Sequence, residues 1–582
     1  MSHYLTGKIL TKKELKMREE YPRPDFKRKD WINLNDKWDF EIDTSNTGIE
    51  KGYYEPTKKF KEKIIVPFCP ESKLSGIENK DFMVSVWYKR EIEIPENWKG
   101  KRIFLNFGAV DFLTRVWING KYVGTHIGGY TPFKFDITDF IERENKIIVN
   151  AYDDNRTLLQ PCGKQSQKYN SYGCHYTRVT GIWQTVYLET TGKNYIKNFK
   201  IYPDYDTGKV LFLFDIEGNG NLKIEIYGED EKILEKESYG SKFIFSTVDI
   251  KNFIPWSVEN PFLYKVKFYL YSDGKLQDEV ESYFGFRKIE IKDKKILLNG
   301  KSIFMRMVLD QGYYPDGIYT APDQEAIIND IKIAKEMGFN GARLHQKVFE
   351  PLFLYWADKL GYIVWAEYPN WGIKNGISNE VIGVIVKEWV DEIERDFNHP
   401  SIIGWCPLNE TSPGQDNELV RTLFRITKNI DKTRPVIDTS GYIHVETDIY
   451  DCHNYKQNPE EFKDDFEEFK IKDKVWQNFP DYDAPYKGQP YWVSEYGGIW
   501  WDEEGIKDGW GYGERPKTKE EFIERYKKLT EVLLNHPKIC GFCYTQLYDV
   551  EQEVNGLYTY SRKPKFNPEI IKKINTQKAE IE

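Results

Sequence analysis

From about residue 289 onward, short apolar runs alternate with amphipathic stretches, and they do so eight times. The runs are SIFMRMV, GARL, YIVWAE, IIGWCPLN, PVIDTS, DIYDCH, YWVSE and GFCYTQ. Between them, DQEAIINDIKIAKEMG, FEPLFLYWADKLG, VIVKEWVDEIERDF and NELVRTLFRITKNI carry apolar residues at i, i+3, i+4 and i+7, the period of a helix with one buried face. A short run that is apolar throughout buries both its faces, as a strand does when parallel sheet is covered by helices. Eight strand-then-helix units in roughly 290 residues close into a barrel, so a (β/α)8 fold is predicted over residues 289–582.

Upstream, the period is two. FMVSVWYKREIEI, RIFLNFGAV, TRVWING, KIIVNAY and WQTVYLET alternate or run apolar and are separated by polar turns such as NGK at 119–121. KVLFLFDI, LKIEIYG and LYKVKFYLYS continue the pattern, with GNGN and SDG as candidate turns. Two successive all-β sandwiches are predicted, over 1–190 and 191–288, ahead of the barrel. A length of 582 residues agrees, because it exceeds what a single hydrophobic core supports.

A net charge of −9 with both signs interspersed gives no basis for nucleic-acid binding, and no stretch of about 18 apolar residues offers a membrane span. MSHYLTGKILTKKELKMREEYPRP lacks the apolar core of a signal peptide, so a cytoplasmic location is expected. Seven cysteines, odd in number and irregular in spacing, do not form a disulfide framework. Cys540 and Cys543 have CxxC spacing, which in a redox site opens a helix; here the helical pattern precedes the pair and GFCYTQL reads as a strand, so buried thiols are expected. Aromatic residues at 16% suit sugar stacking and β-rich cores equally.

In a parallel barrel the active site forms at the C-terminal ends of the strands. Glu410 closes the fourth run in GWCPLNETS, and Glu495 closes the seventh in YWVSEYGG, on opposite sides of the predicted mouth. Two carboxylates flanking a bond are the minimum apparatus for glycoside hydrolysis, one to protonate the leaving oxygen and one to attack or to activate water. A salt bridge explains a single strand-end Glu. It does not explain a pair with Asn409 beside one member and Gly-Gly after the other.

WCPLNE and WVSEYGG resemble the acid/base and nucleophile motifs of glycoside hydrolase family 2. VWINGKYVGTHIGGYTPFKFDIT and TGIWQTVYLE are similar to that family's sugar-binding jelly-roll domain, PWSVENPFLY and FGFRKIEI to its immunoglobulin-like domain, and LNGKSIFMRMV followed by GFNGARLHQ to the opening of its barrel. The resemblance covers the whole chain and implies a retaining, exo-acting β-glycosidase. It implies Glu410 as acid/base with a raised pKa, Glu495 as nucleophile, Asn409 on the sugar 2-hydroxyl, Arg343 beside the nucleophile and Tyr455 donating to it. Asp310, Glu367 and Tyr544 also end strands and are expected to line the sugar pocket; His345 and His453 either join them or sit satisfied in the wall. His399 in NHPSII is expected at a helix end or in a loop, not as a ligand.

Two departures stand out. Gln346 occupies the place where the family's pattern has a His, and Tyr544 the place where relatives commonly have Trp. The stretch EYPNWGIKN lacks the His of the family's metal-dependent members, so neither metal nor cofactor is expected. The expected partner is a carbohydrate; homo-oligomerisation is left open. Family glucuronidases resemble one another in an Asn-x-Lys motif whose Lys pairs with the sugar carboxylate, whereas EQEVNGLYTYSRKPKF places Glu553 and Asn555 there. A neutral β-galactoside is therefore expected first, with glucuronide, α-L-arabinopyranoside and mannoside open. If a cation does reach a sugar carboxylate, Lys347 or Lys456 is expected to supply it. A non-catalytic carbohydrate-binding protein is the alternative of another class.

Overall fold

The computed structural model describes residues 18–373 and 379–582. The amino-terminal stretch read above for a leader lies outside the described residues up to position 17, and so do the last two positions of EYPNWGIKN.

The first unit is a two-sheet sandwich. One sheet has the strand order Phe133–Asp136, Arg102–Phe107, Val186–Thr191, Trp31–Asn33; the other runs Glu62–Val66, Asp36–Ile42, Ser85–Ile92, Asn145–Tyr152, Leu113–Ile118, Lys121–Ile127. Alternate residues from the two inner faces, among them Trp38, Phe40, Tyr88, Leu105, Phe107, Val116, Val149 and Leu188, meet in one apolar core. The turn at 119–121 forms as predicted, with Asn119 and Gly120 both at positive φ, the geometry a tight hairpin requires.

The second unit departs from the prediction at GNGN. KVLFLFDI and LKIEIYG are not two strands joined by a turn but parts of one 20-residue strand, Lys209–Gly228. Val210, Phe212, Phe214, Ile216, Leu222, Ile224 and Ile226 share one parity, so a single core face continues through the glycines. The irregularity is absorbed as a register shift between Asp215 and Asn219, with Gly218 at φ 80. Lys27–Arg28, expected in the first sandwich, instead pairs with Lys275–Phe284 of this second sheet.

In the barrel, seven parallel strands follow the order Ile402–Cys406, Ile363–Glu367, Gly341–Leu344, Met305–Asp310, Ile539–Tyr544, Tyr491–Tyr496, Tyr450–Asn454. The fifth predicted strand, PVIDTS, is reduced to two isolated bridges, Trp405 to Val436 and Asn409 to Ser440. Pro435 has no N–H to give the ladder, and the Asp438 carboxylate draws the segment aside by accepting from the Val445 and Glu446 N–H groups and from His444. The segment still fills the gap between the outer strands, since Ser440 N–H donates to Leu408 O and Asp448 N–H to Val436 O. The helices begin at side-chain caps, Asp323 for Gln324–Glu336, Asp416 for Asn417–Ile430 and Thr518 for Lys519–Leu534. Among the described residues no helix is long and apolar enough to cross a membrane.

Cys540 and Cys543 lie in the strand Ile539–Tyr544, both buried and reduced, and burial pushes both thiols far up. A thiolate nucleophile needs the opposite shift.

Candidate active site

The site assembles around one guanidinium. Arg343 ends the strand Gly341–Leu344 and is fully buried, and each of its three nitrogens serves a different acceptor. Nε–H donates to Glu367 Oε2 at 2.7 Å, Nη1 to Glu495 Oε1 at 2.7 Å, and Nη2 to Asn409 Oδ1 at 2.5 Å. A planar fork can hold three strand ends around the mouth in fixed relation; an ammonium cannot.

Glu495 ends the strand Tyr491–Tyr496 with its side chain 5% exposed. Its second oxygen accepts from the Tyr455 hydroxyl, and Tyr455 is held in turn by Thr545 Oγ1 at 3.0 Å and by stacking on Tyr512 at 3.6 Å. Burial pushes the Glu495 carboxyl up, but His453, Arg343, His345 and Lys164 outweigh it and hold the group well below the ordinary carboxylate range.

Glu410 lies just beyond the strand Ile402–Cys406 and is more open, at 15% side-chain exposure. Its backbone sits in the left-handed region at φ 48, a conformation costing a non-glycine residue on the order of 1–3 kcal/mol, and its N–H is fixed to Ser440 O at 2.9 Å. The apolar run therefore ends in a strained turn that redirects the Glu410 side chain over the mouth. His453 Nδ1 stands 2.7 Å from Glu410 Oε1 and 3.4 Å from Glu495 Oε2, so the imidazole bridges the two carboxylates. An oxygen of Glu410 and an oxygen of Glu495 lie within 4.8 Å of each other. The same three residues have the spacing of a metal-ligand set, but the Arg343 guanidinium already places a positive charge against Glu495.

Asn409 offers a donor. Its Oδ1 is taken by Arg343, whereas its buried Nδ2 has no hydrogen-bond partner among the described residues. A buried amide left unpaired costs roughly 1–3 kcal/mol, which a ligand acceptor recovers.

Three of the expected pocket residues are corrected. Glu367 turns both oxygens to protein, Oε2 to Arg343 and Oε1 to His345 Nδ1 at 3.0 Å and the Gln346 N–H at 3.0 Å, so it positions its neighbours and leaves no oxygen for a sugar. Burial pushes it up, yet Arg343 and His345 hold it at about 2. The Asp310 carboxylate accepts from the Tyr548 hydroxyl and the Gly312 N–H, and among the described residues its side chain has no contact with the Glu410–Glu495 pair. Tyr544 is enclosed between Tyr496, Tyr526 and the Gly497 backbone, with its hydroxyl accepting from Ile499 N–H at 3.2 Å, so neither ring face is free to stack on a sugar.

Gln346 is occupied as well. Its Nε2 donates to Asn370 Oδ1 at 2.8 Å and its Oε1 accepts from Trp371 N–H at 3.0 Å, so His345 is the nearer of the two to the Arg343 hub. His399 pairs with Asp358, away from the mouth.

Sequence reasoning missed Lys164. It belongs to the first sandwich, yet it is 6% exposed with its ammonium 4.8 Å over the Trp371 ring, beside the mouth of the barrel. The premise that the pocket lacks a cation is thus corrected. Lys347 and Lys456 do not supply one: Lys347 donates to Gly312 O and Tyr319 O, and Lys456 pairs with Asp465. Tyr512 behind Tyr455 and Trp371 beneath Lys164 were missed too, because nothing local marks an aromatic as a wall residue.

Family models described as "Glycosyl hydrolases family 2, sugar binding domain", "Glycosyl hydrolases family 2" and "Glycosyl hydrolases family 2, TIM barrel domain" match residues 32–191, 194–287 and 289–577. A β-galactosidase of Thermoanaerobacter pseudethanolicus is 26% identical over 431 residues, 70% of this chain and 54% of the relative. A β-glucuronidase of Streptococcus agalactiae is 24% identical over 449 residues, 70% of this chain and 72% of the relative. The chain spans about half the length of the β-galactosidases it matches. A solved β-glucuronidase of Ruminococcus gnavus in complex with D-glucuronic acid has a TM-score of 0.79 at 19% identity, covering 96% of this chain and 100% of that one, a likeness of fold.

Proposed function

Because the chain belongs to glycoside hydrolase family 2, we propose that it is a retaining, exo-acting β-glycosidase that removes terminal non-reducing sugars by double displacement. The carboxylate pair carries this reading. One oxygen of Glu410 lies within 4.8 Å of one oxygen of Glu495, so the two carboxylates face each other closely, in keeping with the separation of about 5–5.5 Å that retaining chemistry uses.

Their surroundings divide the roles. Glu495, ionised by Arg343 and oriented by Tyr455, attacks the anomeric carbon; Glu410, the more open of the two, gives its proton to the departing oxygen. The glycosyl ester on Glu495 is then cleaved by a water whose proton returns to Glu410. Asn409 Nδ2, without a partner among the described residues, donates in this reading to the sugar 2-hydroxyl, an interaction that strengthens as positive charge develops on the ring.

Nitrophenol release from a panel of nitrophenyl β-glycosides tests the reading. Glu495→Gln should lower kcat on every cleaved substrate by at least about 10³-fold. A variant as fast as the native protein would assign the chemistry elsewhere.

The favoured glycone is neutral, β-galactoside first, since Asn555 stands where a uronate-binding Lys would be. With one leaving group, kcat/KM for the galactoside should exceed that for the glucuronide by at least about tenfold, or roughly 1.4 kcal/mol. A glucuronide is the second reading, favoured by the buried Lys164 cation; equal or reversed values would select it.

A further inference from the structure

The segment that stands in place of the fifth strand is polar and buried, and a chain of its side chains leads to Glu410. His444 Nδ1 lies 2.8 Å from Asp438 Oδ1, and its Nε2 lies 3.1 Å from Asp451 Oδ1. The Ser440 hydroxyl donates to Asp451 Oδ2 at 2.9 Å and stands 3.1 Å from His453 Nε2. His453 Nδ1 completes the chain, 2.7 Å from Glu410 Oε1. None of Asp438, Ser440, His444, Asp451 and His453 is more than 3% exposed.

Both ends of the chain are fixed. Asp438 accepts from the N–H groups of Thr439, Val445 and Glu446, and the Glu410 N–H is held on Ser440 O. Between them, His444 has a carboxylate at each ring nitrogen. Burial opposes its charge, but Asp438 and Asp451 raise it well above the ordinary histidine range. Burial likewise pushes the Asp451 carboxyl up, and His444 holds it below the ordinary carboxylate range. Apolar side chains of the same volume are often as stable as a buried ion triad, so stability alone does not account for three such charges behind Glu410.

The direction of each hydrogen bond follows from its partners. Ser440 has one proton, and Asp451 is both its nearest acceptor and an ionised one. The Ser440 oxygen is then left to accept from His453 Nε2–H. Arg343 Nη1 lies 3.4 Å from the same Nε2, but its two protons are directed at Glu495 Oε1 at 2.7 Å and Ser494 O at 3.4 Å. The other edge of the ring, Nδ1, faces Glu410 Oε1 at 2.7 Å and Glu495 Oε2 at 3.4 Å. Both ring nitrogens thus face acceptors, and His453 donates at each.

We propose that Asp438, His444, Asp451 and Ser440 are positioning residues for the acid/base. Acting through His453, they keep Glu410 Oε1 engaged as an acceptor, so Oε2 is the oxygen that gives its proton to the departing group and later takes one from water. The polar residues that spoil PVIDTS as a strand thereby serve the site. The assignment rests on the glycosidase reading, in which Glu410 is the acid/base, and a Glu410→Gln reference separates the two.

The test compares kcat/KM on two aryl glycosides of the best-cleaved sugar: dinitrophenyl, whose phenolate departs without a proton, and phenyl, whose departure needs one. Glu410→Gln should lose at least about a hundredfold more on the phenyl glycoside than on the dinitrophenyl one. Ser440→Ala and Asp451→Asn should each lose at least about tenfold on the phenyl glycoside and less than about threefold on the dinitrophenyl one, with His444→Gln following the same pattern. In the Glu410→Gln background, Asp451→Asn should add less than about twofold, because the group it positions is already gone. Ser440→Ala removes a hydroxyl and no charge, so it carries the test where a charge variant does not fold.

Losses equal on the two glycosides in Ser440→Ala and Asp451→Asn would mean general damage and would overturn the proposal, as would phenyl losses below about threefold. If Glu410→Gln shows the leaving-group dependence and Ser440→Ala does not, the glycosidase reading stands and the relay fails. A native protein that cleaves neither glycoside, or a Glu410→Gln loss equal on both, would remove the acid/base and the relay with it.

Discussion

Replacing Arg343 by Met or by Lys separates its charge from its shape. The guanidinium is buried between two carboxylates, Glu367 and Glu495, each 2.7 Å from one of its nitrogens. At a charge separation of about 4 Å and an effective dielectric of about 20, each pair is worth roughly 4 kcal/mol, near three pKa units. Because His453, His345 and Lys164 also lower the Glu495 pKa and remain in place, Arg343→Met should raise it by about one to three units. As the proposed nucleophile, Glu495 must be ionised to attack, so its pKa should set the acid limb of the kcat/KM profile, and raising that pKa should move the limb toward neutral pH.

Arg343→Lys keeps the charge but cannot reach Glu367, Glu495 and Asn409 together. Two charge-assisted hydrogen bonds are lost, at about 1.5–3 kcal/mol each, so plateau kcat/KM should fall about 10²-fold or more while the acid limb stays within about half a unit. The assay is kcat/KM against pH on the best nitrophenyl glycoside, with thermal unfolding in parallel, since the Met variant should also lose about 3–5 kcal/mol of stability from two uncompensated carboxylates. If the acid limbs of the Met and Lys variants coincide with the native one, Arg343 does not govern the charge on Glu495 and the reasoning is refuted.

Tyr544→Phe should leave KM for the glycoside within about twofold, because the hydroxyl it removes faces the Ile499 N–H and the Asn555 carbonyl; a rise of tenfold or more would place that hydroxyl against the sugar. Glu71 and Glu388 are both raised to about 7, chiefly by burial, so the folded state holds their protons more tightly; the stability this contributes is present below about pH 4.5 and lost as the pH rises through 7. Glu71→Gln should therefore be about 1–3 kcal/mol more stable than native at pH 8 and no more stable near pH 4.5 by chemical denaturation; a variant less stable at both values would contradict the linkage. Exhaustive chelation should leave nitrophenol release unchanged, and a loss restored by magnesium would place an ion at Glu410, His453 and Glu495.

The barrel and the strand-end carboxylate pair were legible in the sequence because both depend on local pattern. A change of period from two to 3.6 marks where sandwich gives way to barrel, and the residue that ends an apolar run is a strand-end residue wherever the strand lies in space. Glu410 and Glu495 could therefore be placed at one mouth from their positions in the runs, whereas Arg343, Asn409 and Tyr455 were assigned beside them through the family resemblance. Which way a strand-end side chain turns is not local. Tyr544 and Tyr455 both end strands, but Gly497 and Tyr526 close over one ring while the other hydroxyl reaches Glu495. The continuous strand Lys209–Gly228 was decided by its pairing partners, which override the turn signal of GNGN, and the reduced fifth strand by the Asp438 hydrogen bonds, which override the strand signal of PVIDTS. Lys164 is the clearest case. Nothing in GKQSQK announces a buried cation; packing between two domains lays the Lys164 ammonium over the Trp371 ring, 207 positions further along the chain.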